Sequence, residues 1–81
     1  MNTLILYSTP GCHLCEQAES LFHAHRGSRR FKLEITDIAG SDDLMKRYGI
    51  RIPVIRDPGT GKEIGWPFTE KRLSEFLNSL L

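Results

Sequence analysis

The chain has 81 residues, 40% of them hydrophobic and 26% charged. That length holds one domain, residues 1–81, and that balance argues against a disordered chain. Eleven basic against ten acidic side chains give a net charge of +1, which excludes the basic excess of a nucleic-acid surface.

The first apolar run, Leu4-Ile5-Leu6-Tyr7, falls far short of the roughly 20 residues of a membrane span. It also lacks the basic start and apolar core of a secretory signal. The expected setting is the cytoplasm, with no membrane partner and no nucleic acid. Thr3-Leu4-Ile5-Leu6-Tyr7 is short, apolar and β-prone, and is predicted as a buried strand. Ser8-Thr9-Pro10-Gly11 breaks it with a Pro-Gly turn signal. A helix is predicted from Cys12 to Arg26, with Leu14, Ala18, Leu21 and Phe22 on its apolar face. His25 and Arg26 suit the negative end of its dipole, and Gly27 stands where a C-terminal glycine belongs.

Phe31-Lys32-Leu33-Glu34-Ile35-Thr36 alternates apolar and polar and reads as a half-covered strand. Ser41 is expected to cap a short helix that carries Asp42 and Asp43 first and Lys46 and Arg47 last, and Gly49 closes it. Ile52-Pro53-Val54-Ile55-Arg56 is a third strand with a proline near its start, a place that strands tolerate one. Asp57-Pro58-Gly59-Thr60-Gly61 is a turn, and Lys62-Glu63-Ile64-Gly65 a fourth strand. Thr69 caps a last helix running to the chain end, with Phe68 placed to staple onto Leu73. Leu73, Phe76, Leu77 and Leu80 form its buried face. The order is βαβαββα: an α/β fold with a first parallel crossover, an antiparallel second pair, and helices on a small mixed sheet.

Cys12 and Cys15 are the chain's two cysteines. A bond between them closes a tiny ring worth about 2 kcal/mol and ties no two elements together. Chemistry is therefore the better reason for the pair. They fall where the first strand gives way to the first helix, with Cys12 at or beside the N-cap. Residues three apart on a helix lie about 5–6 Å apart at Cβ, within reach of a disulfide after modest adjustment. The free amides of the first turn favour a thiolate at Cys12. The thiolate is the form that attacks disulfides, and Cys15 can then resolve the mixed disulfide. His13, if protonated, adds positive charge nearby; otherwise it is an exposed residue of the first turn. A C-x-x-C opening a helix after a strand, with an X-Pro strand about 40 residues later, is a strong redox signal.

Metal binding is the competing reading. Two cysteines make half of a tetrahedral zinc site. His13 lies between them, and His23 and His25 are about 15 Å away at 1.5 Å per residue. No resident metal or cofactor is expected. A cluster shared between two copies of the chain is the surviving version of that alternative.

These residues resemble the thioredoxin superfamily and, within it, the glutaredoxin-like proteins. The carrying features are Ile5-Leu6-Tyr7-Ser8 before Cys12-His13-Leu14-Cys15, then Tyr48-Gly49-Ile50-Arg51-Ile52-Pro53-Val54, then Gly65 and a Trp66-Pro67-Phe68 end. The resemblance spans nearly the whole chain. It implies a thioredoxin/glutaredoxin fold with a four-stranded central sheet and a cis bond before Pro53. It implies that Pro53 lies beside the cysteines and that the backbone of Ile52 pairs with a bound thiol peptide. Gly11, His13, Gly65 and Trp66 complete the expected substrate-binding set. The departures from typical glutaredoxins are equally specific. His13 and Leu14 replace a proline and an aromatic residue, and Thr9 replaces a lysine or arginine. Trp66-Pro67-Phe68-Thr69 replaces the glycine and acidic cap that hold glutathione. The usual anchors for glutathione's carboxylates are mostly missing, while dithiol chemistry is intact. Arg51 and Lys62 are the cations that folding could in principle bring near the site.

The expected function is thiol–disulfide exchange, with Cys12 as nucleophile and Cys15 as resolving thiol. Expected partners are a disulfide-containing protein or a small thiol such as glutathione, and a reductase; the expected state is a monomer. The rivals are a module that holds a metal or iron–sulfur cluster, and an interaction protein switched by its disulfide. Glu16 reads as surface charge favoured by the dipole, and Arg26, Arg29, Arg30 and Lys32 as a solvated basic loop. Tyr7 reads as a buried aromatic, and Trp66 as either packing or a platform beside the site.

Overall fold

A computed structural model describes residues 2–81. Its elements are β1 (Asn2–Ser8), α1 (His13–Ala24), β2 (Phe31–Asp37), α2 (Asp42–Tyr48), β3 (Val54–Arg56), β4 (Glu63–Gly65) and α3 (Glu70–Asn78). The order is the expected βαβαββα. Two short 3-10 turns, Arg26–Arg30 and Ile38–Gly40, are added to it.

The four strands make one sheet in the order β2-β1-β3-β4. β1 pairs with β2 in parallel along its whole length, from Asn2 opposite Phe31 to Ser8 opposite Asp37. β3 runs antiparallel to β1, with Leu6 opposite Ile55, and β4 antiparallel to β3, with Ile55 opposite Ile64. Alternation along the strands sends successive side chains to opposite faces. Leu4, Leu6, Ile55 and Ile64 therefore face α1 and α3, where they pack with Ala18, Phe22, Leu73 and Leu77. Tyr7 and Val54 face the other way and pack with Ile38 and Tyr48. Full burial of each large apolar side chain contributes about 1.5–3 kcal/mol.

The helices begin as their caps dictate. The Ser41 hydroxyl accepts from Leu44 N–H at 3.2 Å, and the Thr69 hydroxyl accepts from Arg72 N–H at 3.1 Å. The β3–β4 turn is organised by the buried Asp57. Its carboxylate accepts from Gly59 N–H at 3.2 Å and from the Thr60 hydroxyl at 2.8 Å. Gly61, at φ +78°, takes the left-handed conformation that returns the chain to β4.

Four local expectations need correction. α1 ends at Ala24, two residues before the expected Arg26, and Gly27 is not its C-terminal glycine. His25 is the reason: its Nδ1 accepts from Gly27 N–H at 2.9 Å and caps the 3-10 turn that follows. Leu14 is 48% exposed, so the buried face of α1 is built on Cys15, Ala18 and Phe22 instead. Regular ladder structure in β3 starts at Val54, after Ile52 and Pro53. α3 ends at Asn78 rather than at the end of the chain.

Candidate active site

β1, an inner strand, delivers the chain to one end of the sheet, and a short loop turns it into α1. Gly11 has φ +79°, a conformation in which any side chain is strained. Cys12 is the N-cap residue, in extended conformation (φ −87°, ψ 102°). Its carbonyl accepts from Glu16 N–H at 3.2 Å, starting the helix. Its Sγ accepts from Cys15 N–H at 3.1 Å. A sulfur thus occupies the place a capping oxygen usually fills. Cys12 and Cys15 are joined as a disulfide with Cα atoms 5.2 Å apart. Cys15 is 3% exposed, whereas Cys12 is only partly covered. On reduction, the same N–H and the helix dipole stabilise negative charge on Cys12 Sγ. His13 is almost fully exposed, and its Nδ1 stands 3.5 Å from the Glu16 carboxylate.

The second segment of the site comes from β3 and β4. Pro53 is buried and its bond to Ile52 is cis, as the resemblance implies. Pro53 carbonyl accepts from Trp66 N–H at 3.0 Å, which ties the exit of β4 to the proline. Gly65 pairs with Val54 just before it. The bond between Trp66 and Pro67 is also cis, which the sequence reading did not foresee. Ile52 N–H donates to Tyr48 carbonyl at 3.0 Å. That amide is therefore engaged within the chain, and any backbone pairing with a substrate falls to the Ile52 carbonyl.

Trp66 and α1 border an open surface cleft of about 510 Å³ lined by His13, Glu16, Gln17, Ser20, Leu21 and Trp66. Of the residues expected at the site, His13 and Trp66 line this cleft, while Gly11, Cys12, Cys15, Ile52, Pro53 and Gly65 are not among its lining. Trp66 packs edge-on against Phe68, ring centres 5.1 Å apart at 77°. Glu16 and Gln17, read from the sequence as surface or left aside, are thereby part of the same cleft. Arg51 and Lys62 do not line it. Arg51 Nη2 pairs with Glu63 at 2.8 Å, and Lys62 Nζ donates to Ser79 carbonyl at 3.3 Å.

Behind this site, on the α2 face of the sheet, lies a network the sequence did not reveal. The Tyr48 hydroxyl donates to Glu63 Oε2, Arg56 Nη1 donates to that hydroxyl at 3.3 Å, and Arg51 sits 5.1 Å above the Tyr48 ring. Tyr7 stacks on Tyr48 at 4.2 Å. Burial, together with the bond to Glu63, raises the Tyr48 hydroxyl above the ordinary tyrosine value. For Glu63 burial pulls upward, but the bonds from Tyr48 and Arg51 outweigh it and hold the carboxyl below its ordinary value. The residues lie on α2, β3, β4 and the loop before Pro53, and no local motif marks them. His23 and His25 lie at the far end of α1. Among the described residues, no three His, Cys, Asp or Glu side chains gather into a group able to hold an ion.

A dithiol at the head of the first helix, with a cis-proline just before β3 in a four-stranded mixed sheet, is the arrangement of the thioredoxin superfamily. Residues 3–78 match the family model of the glutaredoxin-like domain (DUF836), and the chain belongs to that family. It is similar to the target protein XcR50 of X. campestris, known from an X-ray structure at 37% identity and TM-score 0.81, covering 94% of this chain and 96% of that one. The solution structure of XcR50 agrees, with TM-score 0.79 at 37% identity over 98% and 95% of the two chains. Protein Ne2328 of Nitrosomonas europaea, solved by NMR, is 26% identical with TM-score 0.78, over 93% and 89%. No curated protein matches the chain.

Proposed function

We propose that the chain is a thiol–disulfide oxidoreductase that acts as one domain, as a monomer, in the reducing cytoplasm. The observation that carries this is the unequal pair of sulfurs. Cys12 Sγ is partly accessible and receives the Cys15 N–H, while Cys15 is buried one turn behind it. The Cys12 thiolate attacks one sulfur of a substrate disulfide and releases the other as a thiolate. Cys15 then attacks Cys12 Sγ, its proton passing to solvent or to a departing thiolate, and the second substrate thiol leaves. Two electrons have moved to the substrate and the Cys12–Cys15 disulfide has closed. An external dithiol or thiol, such as glutathione or a reductase, restores the reduced pair. The Ile52 carbonyl, Pro53, Gly11, Gly65, His13 and Trp66 frame the substrate.

The test is equilibration of the metal-free protein across glutathione redox buffers, followed by acid quench and mass measurement. Interchange of dithiol and disulfide at one defined potential supports the reading, and a glutathione adduct on Cys12 shows that glutathione engages the site. A pair that stays reduced throughout overturns it. In turnover assays Cys12→Ser abolishes disulfide reduction; full activity in that variant refutes the assigned roles.

A further inference from the structure

We propose that the cleft beside Cys12 selects disulfide substrates that carry a lysine or arginine within one or two residues of the reacting cysteine, with Glu16 and Trp66 as the selecting residues. This rests on the oxidoreductase reading and names its substrate class. The cleft has one acidic side chain, Glu16, and no lysine or arginine in its lining. Among the described residues Glu16 has one ion-pair partner, His13, at 3.5 Å, and His13 is a cation only when protonated. Gln17 and Ser20 add hydrogen-bond acceptors along the same helix wall.

Trp66 stands opposite. Its N–H donates to the Pro53 carbonyl and its ring rests edge-on against Phe68, which orients the indole at the cleft. An indole face and a carboxylate across a cleft are the pair of groups that attract an ammonium or guanidinium. They repel or ignore an anion. The two basic residues nearest in sequence to the proline loop and β4 are engaged elsewhere, Arg51 with Glu63 and Lys62 with Ser79. The lining therefore offers a substrate carboxylate neutral donors such as Gln17 and Ser20 but no lysine or arginine, and its one permanent charge is negative.

Length fits one or two residues of separation. From His13 to Ser20 the helix wall rises about 10 Å, at 1.5 Å per residue. An extended peptide covers about 3.3 Å per residue, so about three residues lie along the wall. Glu16 is one helical turn from Cys12, so it meets a side chain close to the substrate cysteine, on whichever side of it the peptide enters the cleft.

The experiment uses short peptides with one cysteine held as a mixed disulfide with 2-mercaptoethanol. The residue beside the cysteine is lysine, glutamine or glutamate, placed before or after it. The reduced protein transfers two electrons in a single turnover, giving peptide thiol, 2-mercaptoethanol and the Cys12–Cys15 disulfide, so no other reductant is needed. The readout is the ratio of rates between the lysine and glutamate peptides within each protein variant. Differences in intrinsic reactivity between variants then cancel. The lysine peptide is expected to react about fivefold faster than the glutamine peptide, and the glutamate peptide slowest. Rising salt should shrink the ratio, because Glu16 is exposed to screening. Glu16→Gln should lower the ratio, Glu16→Lys should invert it, and Trp66→Phe should lower it while keeping an aromatic wall. Equal rates for all peptides, or a ratio that Glu16→Lys leaves unchanged, overturn this inference and leave the oxidoreductase reading standing. Failure of the wild-type protein to reduce any peptide overturns both.

Discussion

Replacement of Glu63 by glutamine removes the charge at the centre of the network behind the proline loop. The carboxylate takes the Tyr48 hydroxyl on one oxygen and Arg51 Nη2 at 2.8 Å on the other, with Arg56 at 4.0 Å. Hydrogen bonds to a charged group are worth about 1.5–3 kcal/mol each when sheltered, and a half-exposed ion pair no more than about 1 kcal/mol. Solvent reaches 24% of the Glu63 side chain, and glutamine keeps one acceptor oxygen, so the low end applies. The expected loss for Glu63→Gln is about 1–2 kcal/mol at neutral pH. The sign with pH follows from the Glu63 carboxyl, which lies below its ordinary 4.5 in the folded chain. A carboxyl depressed on folding stabilises fully above its unfolded value, and that stabilisation fades as pH falls through the folded value. The gap between wild type and variant in urea midpoint should therefore be widest near neutrality and close in acid. A gap that is the same at neutral and acid pH, or that widens in acid, refutes the reasoning. Adding Tyr48→Phe completes a double-mutant cycle, in which a coupling near zero would show that the two groups do not act together.

Asp57→Ala removes both carboxylate bonds of the β3–β4 turn, with an expected cost of about 1–2 kcal/mol in urea unfolding because the released donors regain water. Phe22→Ala, at a side chain only 1% exposed between α1 and the sheet, should cost about 3–5 kcal/mol and lower the melting temperature accordingly. Thr69→Ala should cost about 1 kcal/mol through the lost bond to Arg72 N–H, with Thr69→Asn restoring most of it. Cys15→Ser should trap a stable mixed disulfide on Cys12, visible as a mass increment that a reductant removes.

The strands, the helices and the position of the dithiol were legible because each rests on local chemistry. Pro10-Gly11 stops β1, Cys12 caps α1, and Ser41 and Thr69 cap the other two helices. Trp66 was expected near the site from the resemblance, but its sharing a cleft with Glu16, Gln17 and Ser20 along α1 was not legible, because that depends on how β4 leaves the sheet beside Pro53. Leu14 shows a second limit. Its spacing from Ala18 places it on the apolar stripe, but periodicity does not say how far along the axis that stripe is covered, and the first turn leaves it 48% exposed. Gly27 carried a valid helix-stop signal, yet His25 used a ring nitrogen to start a 3-10 turn before the helix could reach it. The Glu63 network was invisible for a simpler reason. Tyr48 and Glu63 are 15 residues apart in sequence and meet only because β4 pairs with β3.

The tryptophan and the tyrosines are sorted by face, and this sets the single indole apart from both phenols. The chain has one tryptophan and two tyrosines. Trp66 lies in the cleft with His13 and Glu16, on the α1 side. Tyr7 and Tyr48 are stacked together on the α2 side, with the sheet between them and the indole. Indole emission, excited beyond the tyrosine band, therefore reports on occupancy of the cleft with no second indole to dilute it. Tyrosine absorption is overlapped by the indole and shared by Tyr7 and Tyr48, so the Tyr48–Glu63 contact is read as a difference spectrum against Tyr48→Phe. The unlabelled protein thus reports on its cleft through emission and on its other face through that difference.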